Sequence, residues 1–217
     1  MNIVKMKTSM LSQKIIANVS PEFAKAYNLP EGHQSVGFFS ADNDDVGYLA
    51  ADDATKKANI KVIHAETFYG GLKCSWSKYG GSVFVMFSGP KVADVKSGMA
   101  YVKDFIDNRT KLCNFDGDEG TAFYAQCVPR AGKYFREWCG IEEGTAYAYL
   151  VGGPIETNYA LDKALKAGDT RIAKYWYPPS HANSSGAVLA GTESACRAAT
   201  AAFVDALKFA MEHPMEI

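Results

Sequence analysis

VFVMFSGPKVADVKSGMAYVKDF (Val83–Phe105) reads as an apolar strand, a glycine turn and an amphipathic helix. About a hundred residues later the chain writes GAVLAGTESACRAATAAFVDALKF (Gly186–Phe209). Setting Gly89 on Gly191 places Phe87 on Leu189, Ala93 on Ala195, Val102 on Val204 and Phe105 on Leu207. Setting Asp52 on Asp162 aligns Ala54 with Ala164, Lys56 with Lys166 and Val62 with Ile172. Upstream, Gly32 falls on Gly144, Phe23 on Phe135 and Ile16 on Val128. The three registers keep the same order and differ only by small length changes, which is the signature of an internal repeat.

The chain therefore divides into residues 1–107 and 108–217. Each copy is expected to run strand (KIIANV, AQCVPR), helix (PEFAKAYN, GKYFREWC), strand (SVGFFS, AYAYLV), short helix (AADDATKKAN, ALDKALKAG), strand (IKVIHAETF, TRIAKYWY), strand (SVFVMF, GAVLA) and closing helix. Val92, Val95, Met99, Val102 and Ile106 recur at spacings of three and four, one apolar stripe on the closing helix of the first copy. Four short strands with helices on one side make a two-layer α+β domain.

The copies are unequal. The first is eight residues longer between its third strand and its closing glycine. The surplus falls in YGGLKCSWSKYGG (Tyr69–Gly81), where glycine pairs flank Trp76, Tyr69 and Tyr79 and suggest a mobile flap carrying bulky plugs. The junction NRTKLCNFDGDEG (Asn108–Gly120) reads as a second loop.

With 217 residues, 47% of them hydrophobic, the chain can bury a real core, and 23 Lys and Arg against 24 Asp and Glu create no global field for nucleic acid or an anionic membrane. Five cysteines without C-x-x-C spacing, behind an N-terminus with no apolar signal run, are expected as reduced thiols in a cytoplasm. No apolar run is long enough to span a bilayer. Phosphate-loop, dinucleotide, zinc-protease and serine-nucleophile motifs are all missing. The four histidines are scattered, so no catalytic residue and no metal ligand set is expected; Cys113 beside Asn114 and Asp116 lacks any cysteine-enzyme signature.

One cluster stands out. SADNDDVGYLAADDAT carries Asp42, Asp44, Asp45, Asp52 and Asp53. Asp52 and Asp53 read as acids opening a helix, where negative charge suits the dipole. Asp42, Asp44 and Asp45 read as lying between strand and helix, where paired carboxylates can hold a small ammonium compound by charge-assisted hydrogen bonds. The second copy offers only Glu156 before Asp162.

The chain resembles the L-type tandem shell proteins of the ethanolamine-utilisation bacterial microcompartment. The resemblance covers nearly the whole sequence. It is carried by SADNDDVGYLAADDATKKA from Ser40, GGSVFVMFSGP from Gly80, YLVGGPIETNYALDKALKA from Tyr149, YPPS from Tyr177 and GTESACRAATAAFVDA from Gly191. It implies two circularly permuted shell domains, each a four-stranded antiparallel sheet with helices, in a non-enzymatic protein of the microcompartment shell. It also implies a homotrimer that imitates a hexagon and tiles with other shell proteins around a gated central pore. On that reading Asp44, Asp45 and Glu156 line a small pore that binds ethanolamine. Tyr69, Trp76, Tyr79 and Phe115 gate the central pore, and cobalamin is a further ligand the compartment would supply. Two rival readings use the same residues: a homo-oligomeric small-molecule sensor of ferredoxin-like type, and a lyase-like enzyme whose site the substrate completes.

Overall fold

The computed structural model describes residues 1–68, 81–116, 122–182 and 184–215. In chain order the strands and helices are β1 (Ile3–Lys5), β2 (Met10–Ile16), α1 (Pro21–Ala26), β3 (Ser35–Ala41), α2 (Asp44–Thr55), β4 (Lys61–Phe68), β5 (Ser82–Gly89) and α3 (Val92–Asp104). A π-helical turn, Phe105–Arg109, extends α3. There follow β6 (Leu112–Phe115), β7 (Ala122–Val128), α4 (Lys133–Cys139), β8 (Ala146–Gly152), α5 (Pro154–Ala167), β9 (Thr170–Trp176), β10 (Ser185–Gly191) and α6 (Glu193–Glu212).

Two compact units result. The first comprises residues 8–110 with 132–134, and the second residues 1–7, 111–131 and 135–217. In the first unit the sheet order is β2-β3-β5-β4; in the second β7-β8-β10-β9 repeats that order, and every pairing is antiparallel. The repeat read from sequence is thus a repeat of fold. The second sheet, however, has six strands. Residues expected as a loop form β6, which pairs with β7 and with the N-terminal β1 through Ile3 opposite Phe115 and Lys5 opposite Cys113. Between the two copies the chain passes from the first compact unit to the second after Thr110. Arg109 stays with the first unit because its guanidinium reaches the carboxylates of Asp53 at 2.6 Å and Asp104 at 2.8 Å.

Helix starts follow local chemistry. Ser20 Oγ accepts the Phe23 N–H ahead of α1, and Pro21 stands in its first turn. Thr192 Oγ1 accepts the Ala195 N–H at the head of α6. In the second unit Ala148 and Leu150 of β8, Ala187 and Leu189 of β10 and Phe203 and Leu207 of α6 form a dry layer between sheet and helices. The alternate residues of β8 face the other way. Tyr147 and Tyr149 pack on Phe135 of α4, with ring centroids 4.9 and 5.9 Å apart, so the second face is covered too, by aromatic rings.

The paired glycines have a steric reason. A Cβ on Gly89 would stand 3.2 Å from the Asn59 carbonyl oxygen, and one on Gly191 would stand 2.9 Å from that of Asp169, the matching position of the second copy. In both units the glycine that ends this strand passes close to a neighbouring backbone, tightly at Gly89 and too closely for an unshifted side chain at Gly191. Gly191→Ala is expected to lower stability by about 1–3 kcal/mol in urea unfolding, and Gly89→Ala by less; equal, negligible losses would contradict this packing.

Candidate functional site

The acidic stretch turns from β3 into α2. Asn43 caps the helix, its Oδ1 accepting the Val46 N–H at 3.0 Å, so α2 begins at Asp44, six residues before the expected start. Two sequence expectations change as a result. Asp44 and Asp45 belong to the first helical turn and not to a loop, and Asp52 and Asp53 lie near the far end of α2 instead of opening it.

Those two distal acids have structural work. Asp52 is fully buried; its Oδ2 accepts the Gly132 N–H at 3.0 Å and meets Lys56 Nζ at 3.1 Å. Burial acts to raise the carboxyl pKa of Asp53, but Arg109 at 2.6 Å and Lys57 at 2.9 Å outweigh it and hold that pKa below its ordinary value.

The acids at the start of α2 differ from these. Asp42 is half-buried, and one of its oxygens takes the Ser9 N–H at 2.9 Å; burial pushes its carboxyl up. Asp44 is 5% exposed. Its backbone N–H donates to Gly81 O at 3.0 Å, and its Oδ2 accepts the Thr67 hydroxyl at 2.7 Å. Thr67 Oγ1 in turn lies 2.7 Å from the Tyr48 hydroxyl, which must therefore donate, making a chain Tyr48–Thr67–Asp44. Thr67 pairs with Val83 across β4 and β5, and Val83 packs so tightly under α2 that a Cβ on Gly47 would come within 2.2 Å of it. That fixes Thr67 on the helix-facing side of the sheet. The other oxygen, Asp44 Oδ1, is buried with no hydrogen-bond partner. Desolvation dominates, and despite the Thr67 hydroxyl and the helix-start N–H groups the carboxyl is pushed up to about 6. Burial and the two neighbouring carboxylates also push the Tyr48 phenol up, which keeps it a neutral donor. Asp45 is half-buried beside Asp44.

Glu156 occupies the first turn of α5, the equivalent helix of the second unit, and is half-buried. That helix starts at Pro154, again six residues before the expected start. Tyr69, Trp76 and Tyr79 lie outside the described residues. Phe115 does not fit a gate. It is fully buried on β6 and stacks on Phe123 with centroids 4.7 Å apart, because strand pairing of β6 draws it into the core of the second unit. Sequence reasoning missed the Thr67 and Tyr48 hydroxyls; the alternation of β4 was the available signal.

Burial raises the thiol pKa of Cys113 and Cys127 and pushes Cys196 up to about 11, the opposite of what a nucleophile needs. Among the described residues no three His, Cys, Asp or Glu side chains gather as metal ligands, and no helix is long and apolar enough to cross a membrane.

Comparison with known proteins places this geometry. Residues 35–115 match the BMC domain. The chain is 43% identical to the bacterial microcompartment shell protein EutL of Clostridium perfringens over 96% of each chain. It is 38% identical to EutL of Escherichia coli over 97% of this chain and 96% of that one. The chain belongs to the EutL family of bacterial microcompartment shell proteins. The crystal structure of the ethanolamine utilization protein EutL from Leptotrichia buccalis superimposes with a TM-score of 0.93 at 42% identity, covering all of both chains. EutL proteins are structural shell proteins and not enzymes, which removes the lyase reading. In this EutL-type fold the acidic start of α2 belongs to the first of the two tandem units.

The Asp44 carboxyl gives this site a pH signature. Its folded pKa lies above its unfolded value, so between about pH 4 and pH 6 the folded state holds a proton that the unfolded chain releases. This group's contribution to stability is greatest below that window and is lost as pH rises through it. Asp44→Asn is expected to stabilise the fold by about 1–3 kcal/mol at neutral pH and to give no gain near pH 4. Urea unfolding at both pH values checks this; a difference independent of pH would contradict it.

Proposed function

We propose that the chain builds a trimeric, pseudohexameric tile of an ethanolamine-utilisation microcompartment shell, and that the start of α2 binds ethanolamine through its ammonium group. Family membership supports the first part, together with two like-folded units in one chain, since three such chains can close a ring of sixfold appearance while each unit diverges. Edge strands supply the means. β2 exposes Leu11 and Ile16 at 38% each, β4 exposes Phe68 at 41%, and β9 exposes Ile172 at 49%, apolar side chains on strands whose outer edges are free to pair.

A single observation carries the second part: a buried carboxylate oxygen, Asp44 Oδ1, without a donor, next to the half-buried Asp45. An ammonium group offers three donors and a compensating charge. The hydroxyl of ethanolamine adds one more polar contact at a site already rich in hydroxyls. Glu156 is a contributor from the second unit in the same reading. The gating of a central pore rests on Tyr69, Trp76 and Tyr79 from the sequence alone.

Light scattering on the purified chain is expected to return three times the chain mass, and a stable monomer at micromolar concentration would reject the tile. Calorimetry is expected to show ethanolamine binding that Asp45→Asn weakens by about 1–3 kcal/mol, the scale of one lost charge-assisted bond. Unchanged affinity in a folded variant would reject the site.

A further inference from the structure

Ammonium binding at the start of α2 would leave Asp44 with a second task. A buried carboxylate that accepts the Thr67 hydroxyl at one oxygen and has no donor at the other is poorly stabilised as an anion while no cation stands beside it. On α2 itself the groups beside it are Asp45 and Tyr48, both of which disfavour a further negative charge or are neutral. From β4 only the Thr67 hydroxyl faces it, since Glu66 alternates to the exposed side. From the β5 end it meets the Gly81 carbonyl, and on the β3 side the nearest acid in sequence is Asp42. Among the described residues no lysine or arginine is paired with it. The contrast within one helix is direct: Asp53, equally an acid of α2, has Arg109 and Lys57.

We propose that Asp44 is the proton-exchanging member of this site: its carboxyl holds a proton when the site is empty and yields it to solvent when an ammonium group arrives. The inference rests on the ammonium reading given above. The step balances simply. The carboxyl O–H bond breaks, the proton passes to water or buffer, and the carboxylate pairs with the incoming cation, whose N–H supplies the donor that Oδ1 lacks. No covalent bond to the ligand forms. The Tyr48–Thr67 chain holds Oδ2 throughout, which leaves Oδ1 as the oxygen that changes partner. Burial, which raises the carboxyl pKa, sets the range in which this exchange operates at about pH 6 and below.

Binding of a small amine that stays protonated over this range would then become acid-sensitive. At pH values above the carboxyl's own range the anion is already formed and binding costs no proton; below it, each pH unit weakens binding toward a limit of about tenfold. A tile carrying this device would hold ethanolamine at neutral pH and let it go on mild acidification.

The test is calorimetry of ethanolamine binding to the wild-type assembly at about pH 5.5 and pH 8, each in two buffers of different ionisation enthalpy. The expected result is release of about half a proton or more at the lower pH, almost none at the higher, and weaker binding in acid. Asp44→Asn is expected to abolish both the release and the pH dependence, whereas Asp45→Asn lowers affinity but keeps the dependence. Affinity equal at both pH values with no proton released would overturn the inference and leave the ammonium reading standing. Absence of binding at every pH would overturn both. Should Asp44→Asn not fold, infrared spectroscopy of the wild type decides: the band of a protonated carboxyl present at pH 5.5 is expected to vanish on adding ethanolamine, and its persistence in the bound state would overturn the proposal.

Discussion

A small antiparallel sheet has two faces and two open edges, and its own helices cannot cover them all. In each unit the second and third long helices cover one face, so everything else about the surface follows from what remains. In the second unit the remaining face is closed by Phe135, Tyr147, Tyr149 and Trp176, whose rings pack within the unit. In the first unit the corresponding rings, Phe23, Phe38 and Phe84, are only half-buried. Edges β2 and β4 of the first unit and β9 of the second expose apolar side chains. The proposed tile would cover these edges by assembly. Duplication within the chain adds freedom, because one unit can keep the scaffold while the other acquires an acidic site.

The repeat was legible because it is enforced by backbone proximity. Gly89 and Gly191 are fixed by carbonyl oxygens at Asn59 and Asp169, and Gly32 and Gly144 by positive φ angles of 80° and 79° at matching turns. These are constraints on individual residues, and they show in the letters. Strand β6 did not show in this way. LCNF becomes a strand by pairing with β7 on one side and, on the other, with Ile3–Lys5 more than a hundred positions earlier, and no local pattern announces a partner so distant. The same pairing buries Phe115, so the residue read as a plug turned out to be core.

The site was legible in composition but not in depth. Five aspartates in one stretch could be seen at once, yet their roles depend on Asn43, which caps α2 and shifts its start back to Asp44. That shift turns Asp44 and Asp45 from loop acids into helix acids, and three acids of α2 stand in three different conditions. Asp52 is tied to backbone and lysine, Asp53 is held by Arg109 and Lys57, and Asp44 is buried beside two hydroxyls with one oxygen unanswered. Of these three, Asp44 is the one with a buried oxygen that lacks a hydrogen-bond partner. The proposed ammonium site calls for a residue in that condition.

The claim at the centre of this account is that two diverged copies of one fold make a single tile. Electron microscopy of the purified chain at raised concentration tests it most directly. The account predicts flat layers with hexagonal packing, in which each repeating unit shows threefold and not true sixfold symmetry; isolated particles under all conditions, or rings with another number of chains, would contradict it.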